Sequence, residues 1–248
     1  VGSEMCIRDS VQADPFAAPS RLRVCVPAPK AGYPQHAYSS QGRAIALCTY
    51  LIDEFAAHAR RWNSSTASND KSPIAIAEAG QQLLERNAMQ VSQDGIEARF
   101  TLQFPARGRR VAGERAVQLI CECVPNIVEN SLFYSANDPA AIAQYIATSE
   151  DAYALRAWLK EQNLIAFIAD GSILPRRSGI DDRPLRSGAV PFKSPQSLRV
   201  HVELPHAGTV AGMGIRPGVT LLVGGGFHGK STLLRALSHG VYLSLIHI

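Results

Sequence analysis

Residues 224–231 have the types and spacing of a phosphate-binding loop. They read Gly-Gly-Gly-Phe-His-Gly-Lys-Ser and match the pattern G-x-x-x-x-G-K-[ST]. A triphosphate is held by several converging backbone N–H groups, and glycine lets the backbone come close to it. Lys230 would bring a mobile charge to the β- and γ-phosphates, and the Ser231 hydroxyl would complete the ligand shell of a Mg²⁺ ion. The pattern therefore predicts a nucleotide site.

The segments on either side of the glycines would position this loop. The apolar run Val219–Val223 predicts a buried strand, and Leu233, Leu234 and Leu237 repeat at helical spacing. The N-terminal dipole and N–H groups of that helix would point at the same anion. The alternative is a glycine-rich strand-to-helix turn that binds nothing. A purely structural turn would not need Gly, Lys and Ser in this order, which favours the nucleotide site.

Two side chains inside the loop have open roles. His228 would either contact a γ-phosphate oxygen or point to solvent, and Phe227 would either stack on a partner or pack beneath the loop. Lys230 is also the candidate catalytic residue and Ser231 the candidate metal ligand. The candidate cofactor-binding residues are Gly224, Gly225, Gly226, Phe227, His228, Gly229, Lys230, Ser231 and Thr232.

The region around this loop resembles the ATP-binding-cassette class of ATPase domains. The resemblance lies in the lead-in Ser197–Leu204 and Val210–Arg216, the turn Pro217-Gly218 and the Ser-Thr-Leu-Leu after the loop lysine. More narrowly, residues 11–242 resemble the family described as predicted ATPases of the ABC class. The matching segments are Gln12–Arg21, Gly108–Arg110, Phe167–Gly179 and Gly224–Thr232.

This resemblance implies an α/β fold in which an α+β N-terminal domain (residues 11–190) precedes the start of an ABC-type P-loop core (191–242). It implies ATP and Mg²⁺ as cofactors and a homodimer for the full-length protein. The loop would wrap the phosphates, and Thr232 would contact the α-phosphate. Transporter cassettes usually carry glycine at the position of Phe227, which leaves the conformation of this loop open.

Both ends of the chain resemble translated sequencing-adapter sequence, over residues 1–10 and 243–248. We therefore expect a truncated fragment, although a native terminus of odd composition is the alternative. Hydrolysis in this class also requires a carboxylate after a hydrophobic strand, a water-orienting residue and a signature segment from a second copy. The fragment is expected to bind Mg-ATP, with hydrolysis needing the missing C-terminal half.

Composition limits the classes of protein that are possible. The 248 residues carry a net charge of +4, which is only mildly basic. No apolar run approaches the ~20 residues that span a bilayer. The five cysteines are not in a metal-binding or disulfide-like spacing. These features predict a cytoplasmic protein with reduced thiols and no membrane domain.

Periodicity and turn residues predict the elements upstream of the loop. Asp94-Gly95 is expected to close a β-hairpin, and Asp138-Pro139 to begin a helix. The predicted strands are Arg21–Val26, Pro73–Ala79, Arg86–Val91, Ile96–Phe104 and Leu164–Ala169. The predicted helices are Gln41–Trp62, Val111–Val124, Asn126–Tyr134, Ala140–Thr148 and Ser149–Asn163, with a loop at Pro27–Pro34.

The polar stretch Asp170–Pro191 is rich in arginine between Arg176 and Arg186. It would be either a solvated linker or a loop that contacts the phosphates of a nucleic acid. Two alternatives to the ATPase hypothesis follow. One is an ATP-dependent, nucleic-acid (RNA)-associated protein, and the other is a regulator that binds nucleotide without hydrolysing it.

Overall fold

The computed structural model describes most of the chain between residues 4 and 242. The described residues are 4–7, 12, 14, 17–65, 73–78, 80, 82–107, 110–178, 181, 183–185, 187–226 and 228–242. They divide into two compact units. The first comprises Val1–Ala79 and Glu85–Ala143, and the second comprises Gly80–Leu84 and Gln144–Ile248.

An antiparallel five-stranded sheet forms the body of the first unit. Its longest strands, β2 and β5, pair along their whole length, from Ser20 opposite Leu102 to Pro27 opposite Gly95. β3 and β4 share the other edge of β5, and β1 pairs with β2. The strands are β1 (Glu4–Ile7), β2 (Ser20–Pro27), β3 (Ile74–Ile76), β4 (Met89–Ser92) and β5 (Gly95–Leu102). The predicted hairpin at Asp94-Gly95 is confirmed.

One helix, α2 (Gln41–Ser65), packs against this sheet. Strand β5 alternates buried and half-buried residues, so one of its faces is apolar. Phe55 of α2 lies with its ring centroid 5.0 Å from that of Phe100 of β5, and both rings are buried. The predicted amphipathic helix is thereby confirmed. The predicted loop at Pro27–Pro34 is wrong in part, since Ala28–Ala31 form a short helix, α1, that ends at Gly32 with φ +74°.

The helical segment around Pro125 differs from the prediction. Helix α3 (Gly113–Gln118) runs through a π-helical turn (Leu119–Cys123) into α4 (Val124–Leu132). We expected Pro125 to end one helix because proline has no N–H to donate to the preceding turn. The wide turn just upstream accommodates the proline at the start of α4, so the chain remains helical. Before α3, β6 (Ala106–Arg107) and β7 (Arg110–Val111) form a two-stranded ribbon.

The two helices predicted on either side of Ser149 are a single helix, α5 (Pro139–Glu161). Its start is as predicted, because the Asp138 carboxylate accepts a hydrogen bond of 2.9 Å from the Ala140 N–H. Ser149 is fully buried inside the helix and does not cap it. Ile142, Ile146 and Leu155 continue one buried face through the serine, so packing outweighs its preference for a helix terminus.

A three-stranded antiparallel sheet forms the body of the second unit. Strand β10 (Gly208–Ile215) is central and pairs with β8 (Ala166–Ala169) on one edge and with β9 (Arg199–Leu204) on the other. Helix α6 (Lys230–His239) follows the glycine loop. The strand predicted at residues 164–169 and the helix after the loop are confirmed, and the two lead-in segments of the resemblance, residues 197–204 and 210–216, contain β9 and β10.

The predicted boundary at residue 190 lies inside the second unit, where β8 before it pairs with β10 after it. Glu4–Ile7, within the adapter-like segment, pair with β2, while residues 243–248 lie outside the described residues. The boundary and the origin of both ends stay predictions. None of the helices in the described part of the chain has the length and apolar character that crossing a bilayer demands.

Candidate functional site

The N-terminus of α6 is open to an anion. Gly229 precedes the helix in the left-handed conformation, at φ +75°, and no side chain among the described residues caps this terminus. The first intrahelical bond of the following turn runs from the Leu233 N–H to the Gly229 carbonyl, at 2.9 Å. The N–H groups of Lys230, Ser231 and Thr232 therefore have no acceptor within the helix. An uncapped N-terminus of this kind suits a phosphate.

Lys230 folds back over the glycine loop. Its Nζ donates to the Gly224 carbonyl at 2.7 Å and also to the Gly225 carbonyl. The six-residue spacing of the motif thus brings the ammonium group to the start of the loop. Lys230 and Thr232 are half-buried, whereas Ser231 is exposed. The predicted charge therefore lies at the predicted loop.

His228 also contacts these glycines. The Gly225 N–H donates to its Nδ1 at 3.2 Å, and a Cβ added to Gly225 would lie 3.2 Å from the imidazole Cε1. The two expectations for His228 were contact with a γ-phosphate oxygen and a side chain that points to solvent. Neither of them included a contact with a backbone amide of the loop. Phe227 lies outside the described residues. The remaining loop glycines, Gly224 and Gly226, are exposed.

The buried strand predicted for Val219–Val223 is wrong. These residues belong to no strand, and Val219, Leu221 and Val223 are 102%, 81% and 79% exposed. An apolar strand is buried only when neighbouring strands or helices cover it, and β10 already pairs with β8 and β9 on its two edges. Among the described residues, the run that leads into the loop therefore belongs to no sheet and is exposed.

Helix α6 is attached to the sheet of its unit by two of the three predicted leucines. Leu233 and Leu237 pack against a buried cluster of Ile168, Met213 and Ile215, while Leu234 is exposed. At the other end of α6, the guanidinium of Arg156 donates to the carbonyls of Gly240 and Val241, at 2.9 and 2.8 Å. A cation at a helix C-terminus also interacts favourably with the helix dipole.

A network of hydrogen bonds and an ion pair, which the sequence did not predict, joins the start of the arginine-rich stretch to the segment that follows it. The Asp170 carboxylate, at the end of β8, accepts from the backbone N–H and hydroxyl of Ser194 and forms an ion pair of 3.1 Å with Arg199. The N–H bond from Ser194, its hydroxyl and then Arg199 lower the pKa of Asp170. The available signal was an aspartate directly after an apolar strand, but nothing in the sequence indicates its distant partners.

The stretch itself folds into a small hairpin. Arg176 and Pro184 form a bridge, and the Arg177 N–H donates to the Arg183 carbonyl at 2.7 Å. The Arg183 guanidinium binds both oxygens of Asp181, and Arg177 lies 3.7 Å from the same carboxylate. The side-chain hydrogen bond from Arg183 is the main reason why the pKa of Asp181 falls to about 2. Gly179, Asp182 and Arg186 lie outside the described residues.

Comparison with known proteins identifies two family models along the chain. Residues 3–135 match the model described as "ATPase of the ABC class N-terminal". Residues 138–246 match the ABC ATPase model described as a P-loop domain. No curated protein matches the chain. The first model alone covers more than half of the chain, and the order of the two confirms the α/β fold class and the resemblance read from the sequence. The chain therefore belongs to the ATPases of the ABC class.

Proposed function

We propose that this chain binds Mg-ATP through residues 224–232. One observation carries the proposal: the uncapped N-terminus of α6 and the Lys230 ammonium converge on the same glycine loop. This arrangement combines the open N–H groups and the mobile positive charge that a polyphosphate requires. The match of residues 138–246 to a P-loop domain supports the assignment.

Each residue of the loop has a separate role in this proposal. The backbone N–H groups of Gly224–Gly229 donate to the phosphate oxygens. Lys230 leaves the carbonyls of Gly224 and Gly225 and turns its ammonium toward the β- and γ-phosphates. The Ser231 hydroxyl would be a ligand of Mg²⁺, and Thr232 would contact the α-phosphate. The bound ion would neutralise phosphate charge.

Hydrolysis is proposed for the full-length ATPase. Phosphoryl transfer to water depends on positioning and electrostatic stabilisation, to which the loop and Lys230 contribute. It also requires a group that orients the attacking water, and the proposal assigns that role to no residue of this chain. We also propose a cytoplasmic location, because the five cysteines are not in a disulfide-like spacing and reduced thiols are typical of the cytosol.

The experiment compares Mg-ATP binding by the 248-residue chain and two charge-removing variants. Lys230→Ala is expected to weaken binding about 10- to 100-fold, since it removes a charge-assisted contact to phosphate. Arg235→Ala removes an equal charge from an exposed position on the same helix and should leave the dissociation constant nearly unchanged. Calorimetry at fixed ionic strength measures all three.

Two results would contradict this proposal. One is native-like binding by Lys230→Ala, which would reduce the glycine loop to a turn. The other is equal weakening by both variants, which would indicate diffuse attraction of the nucleotide to a basic surface.

Homodimerisation and the binding of RNA or DNA by the arginine hairpin remain predictions that are separate from nucleotide binding. In the hairpin, Arg177 and Arg183 share the Asp181 carboxylate, so part of their charge is already neutralised. A nucleic-acid interface would show affinity that falls linearly with the logarithm of salt concentration. Absence of that dependence would exclude phosphate contacts by this hairpin.

A further inference from the structure

Side chains of His228 and Lys230 bind three backbone polar groups of the Gly224–Gly225 segment. The carbonyls of Gly224 and Gly225 accept from Lys230, and the N–H of Gly225 donates to His228. His228 is therefore a second, independent contact on the segment that Lys230 binds. Its position in the motif, three residues after Gly225, allows this contact.

The contact of His228 and the contact of a phosphate exclude each other. A backbone N–H has one hydrogen to donate, so the Gly225 amide serves either the imidazole or an anion. The imidazole Nδ1 stands 3.2 Å from the Gly225 nitrogen, at the place where a phosphate oxygen would accept the same N–H. A phosphate that binds this amide must first displace the ring.

We propose that His228 is a positioning residue that competes with phosphate for the Gly225 amide and so sets the nucleotide affinity of the loop. This inference rests on the proposed function. The imidazole Nδ1 accepts the Gly225 N–H as long as the ring holds this position, so the amide is free for a phosphate only when the ring turns away. Within the described loop, Lys230 is the charged group that shares this segment with His228.

The test measures the dissociation constant of Mg-ATP for the 248-residue chain, His228→Ala and His228→Asn at about pH 8. His228→Ala should bind about fivefold more tightly than the native chain, the factor that loss of one competing neutral hydrogen bond gives. His228→Asn should stay near the native value, because its Oδ1 stands at the place of Nδ1 and accepts the same N–H.

Rescue by the conservative variant separates positioning from a merely structural role. The ratio of native to His228→Ala dissociation constants should be about five, and the ratio of His228→Asn to His228→Ala should be close to the same value. His228 is exposed, so neither substitution threatens folding.

The outcomes distinguish this inference from the function on which it rests. If the native chain binds Mg-ATP and Lys230→Ala does not, but both His228 variants match the native chain, the inference alone is wrong. Weaker binding by His228→Ala at about pH 8 would also overturn it, because the imidazole would then assist the phosphates. If the native chain binds no Mg-ATP, the proposed function and the inference fail together.

Discussion

Gly212 is the position where a single methyl group should cost the second unit most. It lies in the central strand β10, opposite Ala169 of β8 and Val200 of β9. A Cβ built on it would lie 2.4 Å from the Ile168 carbonyl oxygen and 2.5 Å from the Phe167 ring. Non-bonded heavy atoms prefer about 3.5 Å, so Gly212→Ala must push β8 away from β10 by about 1 Å.

The size of the effect follows from two contributions. Forcing a methyl group into a packed interior costs about 1–3 kcal/mol, and loss of one ladder hydrogen bond adds about 1 kcal/mol. We therefore expect Gly212→Ala to lower the free energy of unfolding of the second unit by about 2–4 kcal/mol. In urea, with a slope of about 1–3 kcal/mol per molar, the midpoint should fall by about 1 M or more.

The two tryptophans allow the units to be followed separately. Trp158 belongs to the second unit, where its ring centroid lies 6.1 Å from that of Phe167, and Trp62 belongs to the first. Fluorescence in a Trp62→Phe background therefore reports on the second unit. Gly226→Ala is the matched control, since Gly226 lies in the same unit and a Cβ there meets nothing within 4 Å. An unchanged midpoint for Gly212→Ala, or an equal loss for Gly226→Ala, would refute the reasoning.

Two further predictions concern the polar contacts of the second unit. Hydrogen bonds from Ser194 and the charge of Arg199 lower the pKa of Asp170 in the folded state. The ionised carboxylate therefore stabilises the folded state fully above the ordinary carboxyl pKa of about 4. This contribution is lost as the pH falls through the lowered pKa. Urea unfolding between about pH 2 and pH 6 should show this loss in the native chain and a weaker dependence in Asp170→Asn; identical profiles would contradict it. Arg156→Ala should destabilise the last turn of α6 by about 0.5–1 kcal/mol and accelerate amide exchange there about two- to fivefold, with Arg156→Lys in between. Exchange that is unchanged in both variants would show that the carbonyls need no such partner.

Local signals explain why parts of the fold could be predicted from the sequence. The Asp94-Gly95 hairpin was predicted because a turn at positive φ selects glycine. Gly95 indeed has φ +141°, and a Cβ there would lie 2.0 Å from the Val26 carbonyl. The Asp138 N-cap and the helix after residue 229 rest on similar short-range preferences. Such preferences act within a few residues of the chain, so they can be read without knowing the tertiary structure.

The predictions that were wrong concern features that depend on tertiary structure. Whether Pro125 and Ser149 end a helix depends on a π-helical turn and on a buried face, neither of which a local preference contains. The exposure of Val219–Val223 depends on which strands cover that segment, not on its own hydrophobicity. For the candidate site, the motif predicted which residues would meet. It did not predict that the imidazole of His228 would take the Gly225 amide, since a motif does not specify a rotamer.

The Arg156 contact has a mechanical consequence for α6. Ten helical residues span about 15 Å, and the guanidinium holds the end that lies farthest from Lys230. The other end is held too, because Leu233, in the same turn as Lys230, packs against Ile168, Met213 and Ile215. Helix α6 is therefore fixed near both ends, and the reach of the Lys230 ammonium depends on rotation of its own flexible side chain.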